Sequence, residues 1–101
     1  MNLEECRKEI DAIDNELVEL FVRRMNVAKD IAICKKESGK AVYDSERERL
    51  LLEKVEECAG EEFADYTKRL YSSILELSRN YQSNFLAQTS VQSVCEKESK
   101  A

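Results

Sequence analysis

An all-helical fold of three helices, the first of them very long, is what this sequence predicts, on three observations. The 101 residues include no proline and only two glycines, so the residues that most often break helices are nearly missing. Apolar residues recur at alternating steps of three and four, the period of one helix face. That pattern is interrupted at two places, around Ser38, Gly39 and Lys40 and again at Gly60, which divides the chain into three.

The first helix is expected from Leu3 to Glu37. Its stripe reads Leu3, Cys6, Ile10, Ile13, Leu17, Leu20, Arg24, Val27, Ile31 and Cys34, a coiled-coil pattern. Ala41, Val42 and Tyr43 follow the break as a loop. The second helix is expected to start near Asp44 or Ser45 and to end at Gly60. Ser45 with Glu48 three residues on fits a capping box, and Leu51, Leu52 and Val55 supply the apolar side. The third is expected from Glu61 to Leu86, with Phe63, Tyr66, Leu70, Ile74, Leu77, Tyr81 and Phe85 as its stripe. From Gln88 the chain turns polar. One helical domain over 1–87 and a polar tail or linker over 88–101 are therefore expected, without internal repeats.

The length of the first helix has a geometric consequence. Roughly 34 residues make a rod of ~50 Å, whereas a compact globule of this size has a radius of gyration of only ~13 Å. Two shorter helices cannot cover a stripe that long, and left bare it forms a large exposed apolar patch. A second copy of the chain covers it, so an intertwined, domain-swapped homodimer is expected.

A hydrophobic content of 43% is ample for a packed core. The formal net charge of -5 is a poor footprint for nucleic acid. No apolar run approaches membrane-spanning length, and the opening residues Met1 to Glu5 lack the basic and apolar regions of a signal peptide. A cytoplasmic protein is expected. Cys6, Cys34, Cys58 and Cys95 form no close pair, and there is no histidine. They read as small apolar residues in a reducing compartment, with no metal site. Lack of histidine also removes the usual general base, so any chemistry here proceeds without imidazole.

The misplaced charges carry the functional signal. Arg24 is the one charge in a stripe of ten, and burying a guanidinium is costly unless it has partners. Lys35 lies 11 residues on, three turns plus about 20° of rotation, and so shares the face of Arg24 about 16 Å further along. Two such cations can bracket a small dianion, or Arg24 can simply snorkel or pair across a dimer. Arg7 is ~25 Å from Arg24 along the axis and reaches such a site only on a partner chain. Arg47 and Glu48 sit in the first turn of the second helix, with Glu48 facing inward beside Leu52 and Val55. Ser78 and Gln82 lie one turn apart at the edge of the third stripe, where hydrogen bonding to backbone is the simpler role.

Taken together, Arg7 with Ile10, Asp11, Ile13 and Asp14, then Arg24, Lys35, a loop with Gly39, then Val42, Tyr43, Asp44, Arg47, Glu48, Ser78 and Gln82 resemble the all-helical class of chorismate mutases. The likeness covers about Leu3 to Gln82 and stops short of the tail. It implies a domain-swapped dimer of three-helix chains that rearranges chorismate to prephenate, on the route to phenylalanine and tyrosine, with no cofactor. It also implies roles. Arg7 enters from the other protomer and binds one substrate carboxylate, while Arg24 binds a carboxylate within its own chain, with Arg47 nearby. Lys35 donates to a carboxylate and to the ether oxygen, and Gln82 donates to that oxygen from the opposite side. Glu48 accepts from the ring hydroxyl, and Asp44 and Ser78 complete the polar lining. A concerted pericyclic shift needs no base, nucleophile or metal, which suits a chain without histidine. Two other readings compete: an isochorismate pyruvate-lyase on the same fold, and a non-catalytic helical dimerisation module.

Overall fold

In the computed structural model, residues 1–88 are described with their side chains and 89–100 by backbone alone. Three helices form in chain order: α1 over Leu3–Glu37, α2 over Ser45–Ala59 and α3 over Ala64–Lys100. Asn2 opens α1 by accepting the Glu5 N–H at 2.8 Å, satisfying one of the donors a helix leaves bare at its start. Glu4 and Glu5 at this end, and Lys35 and Lys36 at the other, complement the helix dipole. At its end the Ser38 hydroxyl donates to the Cys34 carbonyl at 2.7 Å. Gly39 then takes φ 71°, a left-handed turn that a side chain resists.

The cap of α2 differs from the expected box. Asp44, not Ser45, is the N-cap, and its carboxylate accepts the Arg47 N–H at 3.0 Å. With the cap one residue earlier, Arg47 occupies the position from which a glutamate would have reached back. Glu48 is thereby released from capping. Gly60, at φ 82°, turns the chain out of α2. Glu61, Glu62 and Phe63 form a turn, so α3 begins three residues later than expected, with Thr67 N–H donating to Phe63 O at 2.9 Å. It also continues past the expected end at Leu86. The tail assigned to 88–101 falls almost wholly outside the residues with described side chains.

Helices α1 and α2 each pack on α3 and not on each other. The result is a slab of 65 × 33 × 14 Å with a radius of gyration of 18.4 Å, well above the ~13 Å of a compact chain of this length. The thinnest dimension barely exceeds one helix diameter. Accordingly, the buried apolar side chains are few and small: Ala28 and Ala32, one turn apart on α1, and Leu75 on α3. No large side chain is fully buried among the described residues.

The long stripe on α1 is not covered by its own chain. Leu3, Ile10, Ile13, Leu17, Leu20, Val27 and Ile31 are all exposed, and Val18 and Val22 with them. The stripe on α3 also needs correction. Phe63, Tyr66, Leu70 and Leu77 face outward, and the buried positions are Leu75, Ser78 and Gln82. Simple periodicity chose the more apolar of two neighbouring faces, whereas the inward face of α3 is the one carrying the polar pair. The chain exposes 8204 Å², against about 5,900 Å² for a compact monomer of this mass.

Candidate active site

The inward faces of the three helices enclose a cleft of about 350 Å³, within the range of small-molecule sites. Its floor is apolar, with Val27, Ala28 and Ile31 from α1, Leu51 from α2 and Leu75 from α3. Around that floor stand Arg24 and Lys35 of α1, Asp44, Arg47 and Glu48 of the α2 end, and Ser78, Arg79 and Gln82 of α3. Seven of the eight residues singled out from the sequence therefore meet in one place. Four cations oppose two carboxylates, a balance of +2 in a cleft of a protein whose net charge is -5. A dianion of modest size matches that balance, and low-dielectric walls strengthen its attraction.

Each polar group is held by its element. The Lys35 ammonium donates to the Val42 carbonyl at 2.6 Å, which ties the end of α1 to the loop and leaves further N–H bonds to give. The helical spacing that put Arg24 and Lys35 on one face is realised, with Ala28 and Ala32 between them against α3. The side chains of Arg24 and Arg47 make no ion pair among the described residues. In a cleft, such unpaired guanidinium groups are free to bind an anion bidentately.

Ser78 and Gln82 are both buried, at 5% and 6% exposure. Gln82 Nε2 donates to Ser78 Oγ at 3.1 Å, and Gln82 Oε1 is buried without any hydrogen-bond partner. Buried polar atoms are nearly always paired, so this amide keeps bonding capacity that Ser78 does not use. Turning the amide over keeps the serine contact, since a hydroxyl both donates and accepts, and puts N–H where the unpaired oxygen stood.

Arg79 was not anticipated. It forms a salt bridge to Glu48 across α2 and α3 and stacks its guanidinium 5.0 Å from the centre of the Tyr43 ring. The hydrogen bond to Glu48 raises its pKa, burial lowers it, and the nearby charge of Glu48 raises it again. A contact between residues 31 apart leaves no local trace in a sequence. It lies one residue after Ser78 and outside the apolar stripe, so periodicity does not single it out.

Arg7 is exposed, near the start of α1, and does not line the cleft. Cys6, Cys34 and Cys58 are free and exposed, and Cys95 lies outside the described side chains. Among the described residues no group of three or more acidic or cysteine side chains could hold a metal ion. Among the described residues, no helix is long and apolar enough to cross a membrane.

Comparison with known proteins identifies the family. Residues 6–83 match the family described as chorismate mutase type II. A chorismate mutase of Methanocaldococcus jannaschii is 30% identical over 89 residues, which is 86% of this chain and 90% of that protein. A bifunctional chorismate mutase/prephenate dehydratase of Aquifex aeolicus is 42% identical over 53 residues, 52% of this chain and 15% of that protein. The T-protein of Haemophilus influenzae is 35% identical over 51 residues, 50% of this chain and 14% of its own length. No solved structure matches at a significant level. With the match spanning most of α1, all of α2 and the inward face of α3 through Gln82, this chain belongs to the chorismate mutase type II family.

Proposed function

We propose that the protein rearranges chorismate to prephenate in this cleft, and that two copies of the chain complete each site. The observation that carries the reading is the convergence of Arg24, Lys35, Arg47, Glu48, Ser78 and Gln82 from three helices on one cleft. Chorismate is a dianion whose reaction is a concerted shift of bonds, so a site needs only to fold the substrate and stabilise developing charge. Arg24 and Arg47 bind carboxylates, and Arg7 of the second copy closes over the other end. Holding both carboxylates fixes the side arm over the ring in a reactive geometry. Lys35 and the overturned amide of Gln82 donate to the ether oxygen as its bond to carbon breaks. Glu48 accepts from the ring hydroxyl, and Asp44 and Ser78 complete the lining. One preorganised donor to an oxyanion is worth roughly 3–4 kcal/mol, so two donors plus orientation suffice for the ~8 kcal/mol of a 10⁶-fold acceleration.

The dimer is supported by the uncovered stripe on α1, by the exposed residues on α3 and by the excess surface. A partner laid antiparallel along α1 covers that stripe and carries its Arg7 toward the Arg24 end of the cleft. The exposed thiols of Cys6, Cys34 and Cys58 suit the reducing cytoplasm.

The test is to follow loss of chorismate and appearance of prephenate with the purified chain, with isochorismate offered in parallel. Turnover of chorismate well above the spontaneous rate is expected. Turnover of isochorismate to pyruvate alone identifies a lyase, and no turnover of either leaves a helical dimerisation module. Light scattering should give twice the chain mass; a monomer that is active overturns the shared site.

Gln82→Glu supplies a second check. An amide keeps its N–H at any ordinary pH, whereas a carboxyl donates only while protonated, below about pH 4–5 for an unperturbed group. Activity of the variant should therefore be confined to acidic pH, with wild type as the flat reference. An unchanged pH–rate profile removes Gln82 from contact with the ether oxygen.

A further inference from the structure

Resting on the reading above, we propose that Arg79 is a positioning residue of this site. It neutralises Glu48 toward the incoming dianion while leaving one Glu48 oxygen free for the substrate hydroxyl. Glu48 is only 18% exposed in its side chain, and it lines a cleft that otherwise attracts anions. A bare carboxylate there opposes substrate binding, because like charges brought together across an interface are strongly unfavourable. Arg79 reaches it through one nitrogen, Nη1, onto Oε1. Oε2 makes no hydrogen bond among the described residues, so the pair leaves a second acceptor on a residue that lines the cleft.

The guanidinium is itself held in place. Its stacking on Tyr43 fastens α3 to the loop whose Val42 carbonyl anchors Lys35. The remaining charged groups around Glu48 are already committed: Asp44 caps α2, Lys35 holds the loop, and Arg24 and Arg47 stand where substrate carboxylates bind. Arg79 is thus the cation that offsets Glu48, and without it the cleft balance falls from +2 to +1.

The experiment compares steady-state kinetics on chorismate for wild type, Arg79→Met, Arg79→Lys, Glu48→Gln and the double variant Glu48→Gln with Arg79→Met. Arg79→Met should raise KM roughly tenfold, with kcat within about threefold, the signature of lost uniform binding. Arg79→Lys keeps the charge but loses the planar stack on Tyr43, and should give a KM between those of wild type and Arg79→Met. The double variant should show a lower KM than Arg79→Met alone, because the unpaired carboxylate has gone with its partner. That rescue is the deciding result when it is read in KM beside each variant's melting temperature, since a merely structural pair moves the melting temperature and leaves KM unchanged. Additive losses, or a KM unchanged in Arg79→Met, overturn the assignment. An inactive wild type in the same assay instead overturns the mutase reading, so the two failures are told apart.

Discussion

Lys35→Ala should lower kcat by at least roughly 10²–10³-fold, the cost of one preorganised donor to a developing oxyanion. Charge on the ether oxygen appears only as the bond to carbon breaks, so a donor aimed there acts in the transition state and little before it. Lowered kcat with a smaller change in KM is the corresponding kinetic pattern. Part of the loss has a second origin. The Lys35 ammonium also holds the Val42 carbonyl at 2.6 Å, and alanine leaves that loop untied at the cleft edge. Lys35→Arg separates charge from position, since it retains a cation but moves its nitrogens outward. A rate loss close to that of alanine assigns the effect to the position of the donor, and recovery assigns it to charge alone. If Lys35→Ala instead changes only KM, the residue is an anion binder and the ether oxygen is stabilised elsewhere.

Arg7→Ala and Arg24→Ala should each abolish most activity, by roughly 10²–10³-fold if a buried charge-assisted contact to a carboxylate is lost. Together in one preparation they should partly restore it. In a two-fold dimer each site takes Arg24 from one copy and Arg7 from the other. A mixed dimer therefore contains one site with both arginines intact and one with neither. Random pairing of equal amounts yields half mixed dimers, so roughly one quarter of wild-type activity is expected after co-refolding. Activity no higher than the average of the two single variants sinks the shared site. The structure already separates the two residues within one chain: Arg24 lines the cleft, and Arg7 is exposed far along α1.

How much of this was legible in the sequence depends on the range of the interaction. Helical rotation placed Arg24 and Lys35 on one face because both sit on a single uninterrupted helix, where spacing alone fixes direction. Loop chemistry placed the breaks, since Gly39 and Gly60 both take positive φ. The cap of α2 was legible only to within one residue, because Asp44 and Ser45 are both good caps. That single residue mattered, since it decides whether Glu48 is spent on a backbone N–H or turned toward Arg79. The inward face of α3 was the least legible. Phe63, Tyr66, Leu70 and Leu77 form the more apolar row, yet they are exposed in the single chain. A helix that serves two neighbours carries two faces, and periodicity reports the more apolar without saying which neighbour it meets. Arg79 was lost for the same reason: its partner is on another helix.

The slab is only 14 Å thick, and among the described residues no large side chain is fully enclosed. A lone chain of this shape has little to hold it together, so in the paired state proposed here folding and association become one event. Melting temperature should then climb with protein concentration, and catalysis should fade on dilution as copies separate and unravel. The cell's supply of working enzyme would depend on how often newly made chains encounter one another, as well as on how many are made.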